Sequence, residues 1–289
     1  MTPYEIVVRL SEYFSFSFVR YAFVVGILIS LCASLLGVSL VLKRYSMIGD
    51  GLSHIAFGAG AVSAVLGVTG MAITLPATVA TAVLLLVGKS KKKIMGDSAI
   101  AMLSAGSLAL GYLLLNLTGT STNLSGDVCT SLFGSTNILT LSRSDVTLCL
   151  ILAVSVILVF ALLYNKIFSV TFDERFSKAT GIRVNIYNLI VAIMSAVVIV
   201  IGMKLVGALL ISALIIFPAL SAMRVAKSYK GVIIISSAIA VVSAIAGLLL
   251  ALVLETPVGA GIVCANIISF GICALVGAIK RKIKAKGLV

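Results

Sequence analysis

Apolar residues run through this sequence in nine long blocks, separated by short groups of charged, glycine-rich or polar residues. The blocks are residues 18–42, 47–66, 71–87, 94–117, 145–164, 186–201, 205–225, 232–254 and 260–279. A helix needs about 20 mostly apolar residues to cross a hydrocarbon layer ~30 Å thick, and blocks of this length predict helices and not strands. The chain is therefore read as all-α, a polytopic membrane protein with about eight or nine transmembrane helices, its 289 residues forming a single transmembrane domain. Pro76 and Pro218 fall inside blocks, where neighbouring helices can satisfy the freed carbonyls.

The segments between blocks add detail. Residues 1–17 mix Phe, Tyr and Ile with charges, which suits an interfacial N-terminal helix. Glu5 and Glu12 and the length of the following block argue against a cleavable leader, so the first block is expected to be a retained span. Residues 118–144 are polar and turn-rich and predict a long loop, with Asp145 capping the next span. Gly202-Met203-Lys204 predicts a tight connection between the sixth and seventh spans. In residues 171–182, Thr171 or Asp173 can cap a helix that Gly181 stops, with Glu174 in its first turn. Phe172, Phe176 and Ala179 then share one face at i, i+4 and i+7. Such a helix either docks a partner or packs on its own protein.

Composition agrees with the pattern and charge orients it. The chain is 61% hydrophobic and 11% charged, against roughly 25% charged in soluble domains. Its net charge of +13 does not point to nucleic acid, because the cations sit in the gaps between apolar blocks. With Lys43-Arg44 placed in the cytoplasm and nine spans alternating from there, 18 of the 22 Lys and Arg fall on the cytoplasmic side. The positive-inside rule then gives an N-terminus outside, a C-terminus inside, an extracytoplasmic 118–144 loop and a cytoplasmic 171–182 helix. The five cysteines form no CxxC and mostly lie in apolar blocks, so they read as small buried hydrophobes.

The only histidine, His54, lies in the second block four residues after Asp50. On a helix the two side chains stack on one face. At 1.5 Å per residue they lie roughly 9 Å and 15 Å deeper than Arg44, a depth at which ionisable groups normally face an aqueous path or a partner. Met47, Gly51 and Phe57 flank the pair and are candidates to line the same path. A proton relay, a hydrolytic dyad or a metal site would each use such a pair. Ser53 points away from His54 on a helix, which disfavours a serine hydrolase, and there is no HExxH motif. One imidazole and one carboxylate suit Mn²⁺ or Zn²⁺. Two ligands are too few for zinc, which prefers four, so two chains meeting on a two-fold axis would complete the set. Gly88-Lys89-Ser90 lacks the glycine that a phosphate-binding loop needs at position 83, which is Val. No ATP site is expected in this chain.

Several segments together resemble the permease subunits of ATP-binding-cassette importers for manganese, zinc and related metals. They are residues 43–54 (KRYSMIGDGLSH), 131–134 (SLFG), Phe172-Asp173-Glu174 with Gly181, 204–212 (KLVGALLIS) with Pro218-Ala219, and 255–259 (ETPVG). The resemblance implies a transport subunit of the bacterial cytoplasmic membrane and not an enzyme. It implies a homodimeric channel, two copies of a cytosolic ATPase and an extracytoplasmic metal-binding protein as partners. It also implies Asp50 and His54 as ligands of transported Mn²⁺ or Zn²⁺, no permanently bound cofactor, and a coupling helix built from Phe172, Asp173, Glu174, Phe176, Ala179 and Gly181. A proton-coupled secondary carrier using Asp50 and His54 as a relay, and an importer of chelated iron, are the alternatives.

Overall fold

The computed structural model describes residues 12–68, 70–87, 96–118, 141–254 and 256–285, the side chains of residues 96, 281 and 283–285 excepted. Expectations for residues 1–11, 88–95 and 119–140, including the 131–134 motif, and for Glu255 and the end of the basic tail lie outside the described residues. Each of the nine apolar blocks contains one long helix. These are α1 (Ser17–Leu42), α2 (Ile48–Val65), α3 (Gly70–Val87), α4 (Gly96–Thr118) and α5 (Arg143–Phe172), then, beyond the short α6 (Glu174–Ala179), α7 (Val184–Val206), α8 (Ala208–Val225), α9 (Tyr229–Leu254) and α10 (Val258–Ala285). Among the described residues, eight helices are long and apolar enough to cross a membrane; α2 is not one of them.

The helices pack as a central group and a shell. Helices α1, α7 and α8 are the most buried of the eight apolar spans, and α3, α4 and α10 are among the most open. Helix α1 packs on α5, α8 and α9, while α2 packs on α3 and α4 and also touches α7 and α8. Lipid tails are as apolar as Leu, so in a membrane such helices associate by close van der Waals fit and not by expulsion of water. The buried residues of α2 are accordingly rich in small ones: Gly49, Gly51, Ser53, Ala56, Gly58 and Ala61 are buried beside Ile48, Leu52 and Ile55.

The ends of the helices are closed by their own backbone. After α1, Arg44 takes a left-handed conformation (φ 62°), with Arg44 N–H bonded to Val41 O and Tyr45 N–H to Leu40 O. This is the Schellman arrangement, here with arginine where glycine is usual. It turns the chain so that α2 starts at Ile48. Tyr45 is buried and its hydroxyl donates to Leu85 O at 3.2 Å, joining the turn to the end of α3. Ser142 and Asp145 form a capping box at the start of α5, so Asp145 is the third helical residue of the cap and not the cap itself.

Two boundaries differ from the sequence-based expectation. The connection predicted at Gly202–Lys204 is helical, and the break between α7 and α8 falls at Gly207 (φ 97°), a conformation that side-chain-bearing residues rarely adopt. Gly202 serves packing instead, because a Cβ there would run into the Ile211 side chain. Helix α5 passes beyond Tyr164 to Phe172. Its 30 residues make it about 45 Å long, longer than the hydrocarbon layer, so it carries polar residues out of the membrane without ending.

The approach of α2 to α4 rests on glycine. A Cβ on Gly58 would lie 2.6 Å from the backbone oxygen of Ser107, whereas one on Gly106 would meet nothing within 4 Å. Gly58→Ala is expected to cost about 1–3 kcal/mol, seen as a lower Tm in detergent, with Gly106→Ala leaving Tm unchanged or slightly higher.

Candidate metal centre

The candidate centre starts at the α1–α2 turn. Asp50 lies in the first turn of α2, where the unpaired N–H groups of the helix start favour a carboxylate. One turn further in, His54 Nε2 stands 3.7 Å from Asp50 Oδ1. Two ligands about 2.1 Å from one ion at a tetrahedral angle are separated by about 3.4 Å, so the two atoms are spaced to hold one ion between them with little movement. The other ring nitrogen is fixed: Nδ1 lies 2.7 Å from Ser104 Oγ on α4.

The pair is open on one side. The His54 side chain is 17% exposed and that of Asp50 31% exposed. Met47, 48% exposed, and the half-buried Phe57 continue the same stripe along α2. Gly51 is placed differently. It is buried and faces Ile100 of α4, whose side chain occupies the space a Cβ would need. Its part is close packing, not lining. Among the described residues no group of three or more His, Cys, Asp or Glu is arranged to hold an ion, so Asp50 and His54 stand as a candidate pair of ligands and not as a complete set.

A second cluster lies at the same end of the bundle as the α1–α2 turn. Lys43 Nζ is 3.5 Å from Glu174 Oε1 and donates to Asn188 Oδ1. Asn188 Nδ2 donates in turn to Glu174 Oε1 at 3.2 Å. The Lys43 side chain is only 6% exposed, and a charge so buried is tolerated because it is paired. The triangle ties the end of α1, the start of α6 and the first turns of α7 together. Beside it, Ser39 Oγ and Tyr229 OH lie 2.9 Å apart and join α1 to α9.

The expected 171–182 helix is two pieces. Phe172 ends α5, Asp173 is extended (φ −144°) and α6 covers Glu174–Ala179. The physical reason is the cap: Asp173 Oδ1 accepts from the N–H groups of Arg175 and Phe176, both at 2.9 Å, which sets a new helix start one residue after the old one ends. Gly181 (φ 82°) closes α6, its N–H bonded to Lys178 O and Ile182 N–H to Ser177 O. Phe172 and Phe176 are 61% and 64% exposed, and Ala179 is exposed. Phe172 also lies edge-on to Tyr229, ring centroids 5.8 Å apart.

Ser104 and Asn188 escaped the sequence reading, and Lys43 entered it only as a cytoplasmic charge and a motif residue. Ser104 lies 50 residues from His54, and no spacing rule connects them. A serine inside an apolar block does signal a polar partner across helices, but not which one.

Comparison with known proteins agrees across almost the whole chain. The profile of the ABC 3 transport family matches residues 15–277. The manganese import system permease protein ScaB of Streptococcus gordonii is 29% identical over 273 residues, covering 93% of this chain and 96% of its own. ScaB of Streptococcus parasanguinis is 30% identical over 269 residues, covering 93% and 94%. A probable metal transport system membrane protein of Thermotoga maritima is 32% identical over 260 residues, 88% of each chain. The solved structure of PsaBC from Streptococcus pneumoniae in complex with Fab superposes with a TM-score of 0.81 at 27% identity, covering 96% of this chain and 99% of that one.

The Asp173 cap yields a direct test. Asp173→Ala removes both side-chain bonds and is expected to destabilise α6 by about 1 kcal/mol. Amide hydrogen exchange at Arg175 and Phe176 should then speed up about fivefold, with the amides of α7 unchanged.

Proposed function

The chain belongs to the ABC 3 transport family, and on that premise we propose that it is the membrane-spanning subunit of an ATP-driven importer of Mn²⁺ or Zn²⁺. It is a multi-pass transport permease, not an enzyme, and ATP hydrolysis is the work of a separate chain. Membership in an ATP-binding-cassette family favours this reading over a proton-coupled carrier.

One observation carries the metal assignment: an imidazole and a carboxylate, spaced for one ion, lie half-open on the flank of an otherwise apolar bundle. Such a pair cannot face lipid, since a charge deep in hydrocarbon costs several kcal/mol or more. A second copy of the chain, laid against the Met47–Phe57 stripe, covers the pair and brings Asp50 and His54 of its own. The four ligands then enclose one ion on the two-fold axis. Manganese is supported by the names of the ScaB relatives; the ligand types suit zinc as well.

The Lys43–Glu174–Asn188 end is the cytoplasmic one in this reading, because it carries most of the Lys and Arg. Helix α6 presents Phe176 there as the knob for the ATPase, one ATPase to each permease copy, while a metal-binding protein delivers the ion at the opposite face. Movement of α6 reaches the α1–α2 turn through Glu174 and Lys43, and Asp50 stands one helical turn from that turn.

Reconstituted with its ATPase, the transporter carrying Asp50→Ala or His54→Ala should lose at least tenfold in Mn²⁺ uptake while the complex still assembles on size-exclusion chromatography. Uptake at the original rate in both variants refutes the ligand assignment. Phe176→Ala should weaken ATPase binding about tenfold, as loss of an aromatic anchor does, and leave the metal affinity of the permease as it was.

A further inference from the structure

We propose that Ser104 is the positioning residue of this site: its hydroxyl holds the His54 ring in the tautomer that leaves Nε2 open to the ion, and releases that tautomer when the ion departs. The inference rests on the reading of Asp50 and His54 as ion ligands. It goes beyond that reading by assigning how the ring is switched between binding and releasing states.

Two distances and the chemistry of the imidazole ring lead to it. Nε2 is the nitrogen turned towards Asp50, at 3.7 Å, so it is the atom placed to ligate. An imidazole nitrogen ligates only without its proton, and the neutral ring then carries that proton on Nδ1. Nδ1 lies 2.7 Å from Ser104 Oγ, which accepts the proton's hydrogen bond in the ion-bound state. In the empty state water reaching the partly exposed ring gives a proton to Nε2, facing the Asp50 carboxylate, and takes the one on Nδ1, while the Ser104 hydroxyl rotates to donate to Nδ1. Both tautomers thus keep a partner on each ring nitrogen.

The choice of a hydroxyl matters chemically. Histidines in resident metal sites usually donate to a carboxylate or a backbone carbonyl, which only accepts and therefore locks one tautomer and tightens binding. A cargo ion must also leave. Serine is donor and acceptor in one group and supports both states by rotating its hydroxyl as the ring exchanges its proton with water.

The hydroxyl is also rigidly placed. Ser104 is buried on the α2-facing side of α4. Gly51 packs on Ile100 and Gly58 on the Ser107 backbone, so the two helices are locked above and below His54. The Ser104 side chain, one bond long, has little freedom to drift.

The test uses the fact that His54 is the only histidine of the chain, so ¹⁵N-histidine labelling of the full chain in lipid nanodiscs reports one imidazole. Zn²⁺ is the probe, being diamagnetic. With zinc, the original protein and Ser104→Thr should show Nδ1 protonated and Nε2 metal-bound. Ser104→Ala and Ser104→Val should need at least tenfold more zinc for the same spectrum, the size of effect typical when such a partner is lost. In the reconstituted transporter, KM for Mn²⁺ should rise about tenfold in Ser104→Val and stay within about threefold in Ser104→Thr. Thr and Val are nearly the same size, so the pair separates the hydroxyl from packing even if Ser104→Ala does not fold. Ser104→Val responding to zinc like the original protein, or Ser104→Thr as weak as Ser104→Val, overturns the proposal. Zinc that leaves the His54 resonances of the original protein untouched overturns the metal reading itself, and this inference with it.

Discussion

The constraint on which the rest of the structure depends is the cost of holding a carboxylate and an imidazole inside a membrane domain. Helix α2 bears both and is too polar to count among the apolar spans. It packs against α3, α4, α7 and α8. The small residues along its buried face are what let α3, α4, α7 and α8 come close. The same glycines that admit the neighbours fix the height of Ser104 beside His54. The packing of α2 and the placement of the proposed site thus depend on one set of residues, and a substitution at Gly51 or Gly58 acts on both.

The two ends of the bundle are unequal in the same sense. Long α5 carries the chain out of the hydrocarbon and hands it to α6, a helix of six residues. So short a helix has almost no stability of its own. It exists because Asp173 satisfies its first N–H groups, Gly181 its last carbonyls, and Glu174 is held by Lys43 and Asn188. An element held by its ends and one buried charge moves as a rigid knob, not as a loop. Its attachment point on the bundle is the residue that ends α1, two residues before the buried Tyr45 and seven before Asp50.

What could be read from the sequence follows from which forces are local. The nine helices were legible because the length and continuity of an apolar block depend on bilayer thickness and nothing else. Asp50 and His54 were legible because ionisable residues are scarce in such blocks. The α7–α8 boundary was not: Gly202 and Gly207 look alike in sequence, and only the neighbour decides that one is pressed against Ile211 while the other takes a left-handed turn. The close approach of Gly51 to Ile100 was hidden for the same reason. The 171–182 segment was read as one helix, whereas Phe172 ends α5 and α6 begins at Glu174, because Asp173 can cap equally well whether or not the helix before it has ended. Ser104 and Asn188 depend on contacts far along the chain, which periodicity cannot supply.

A half-site has a consequence that a complete site lacks. If one chain held four ligands, the ion's affinity would be a property of that chain, and opening or closing the dimer would change it little. On the proposed reading, with two ligands per chain, affinity would depend steeply on the separation of the copies, because an ion held by Asp50 and His54 of one copy alone would keep only half of its protein ligands. A small movement at the dimer interface therefore suffices to switch between capture and release. The force for it need act only where the copies meet, and α2 lies there on the proposed reading. The connection from α6 through Glu174 and Lys43 to the start of α2 is short and closed by an ion pair whose lysine is buried, which suits it to transmit a displacement. The hydroxyl of Ser104 completes the scheme at atomic scale, since a ring that must bind and release in every cycle is better served by a partner that can reverse its hydrogen bond than by one that cannot.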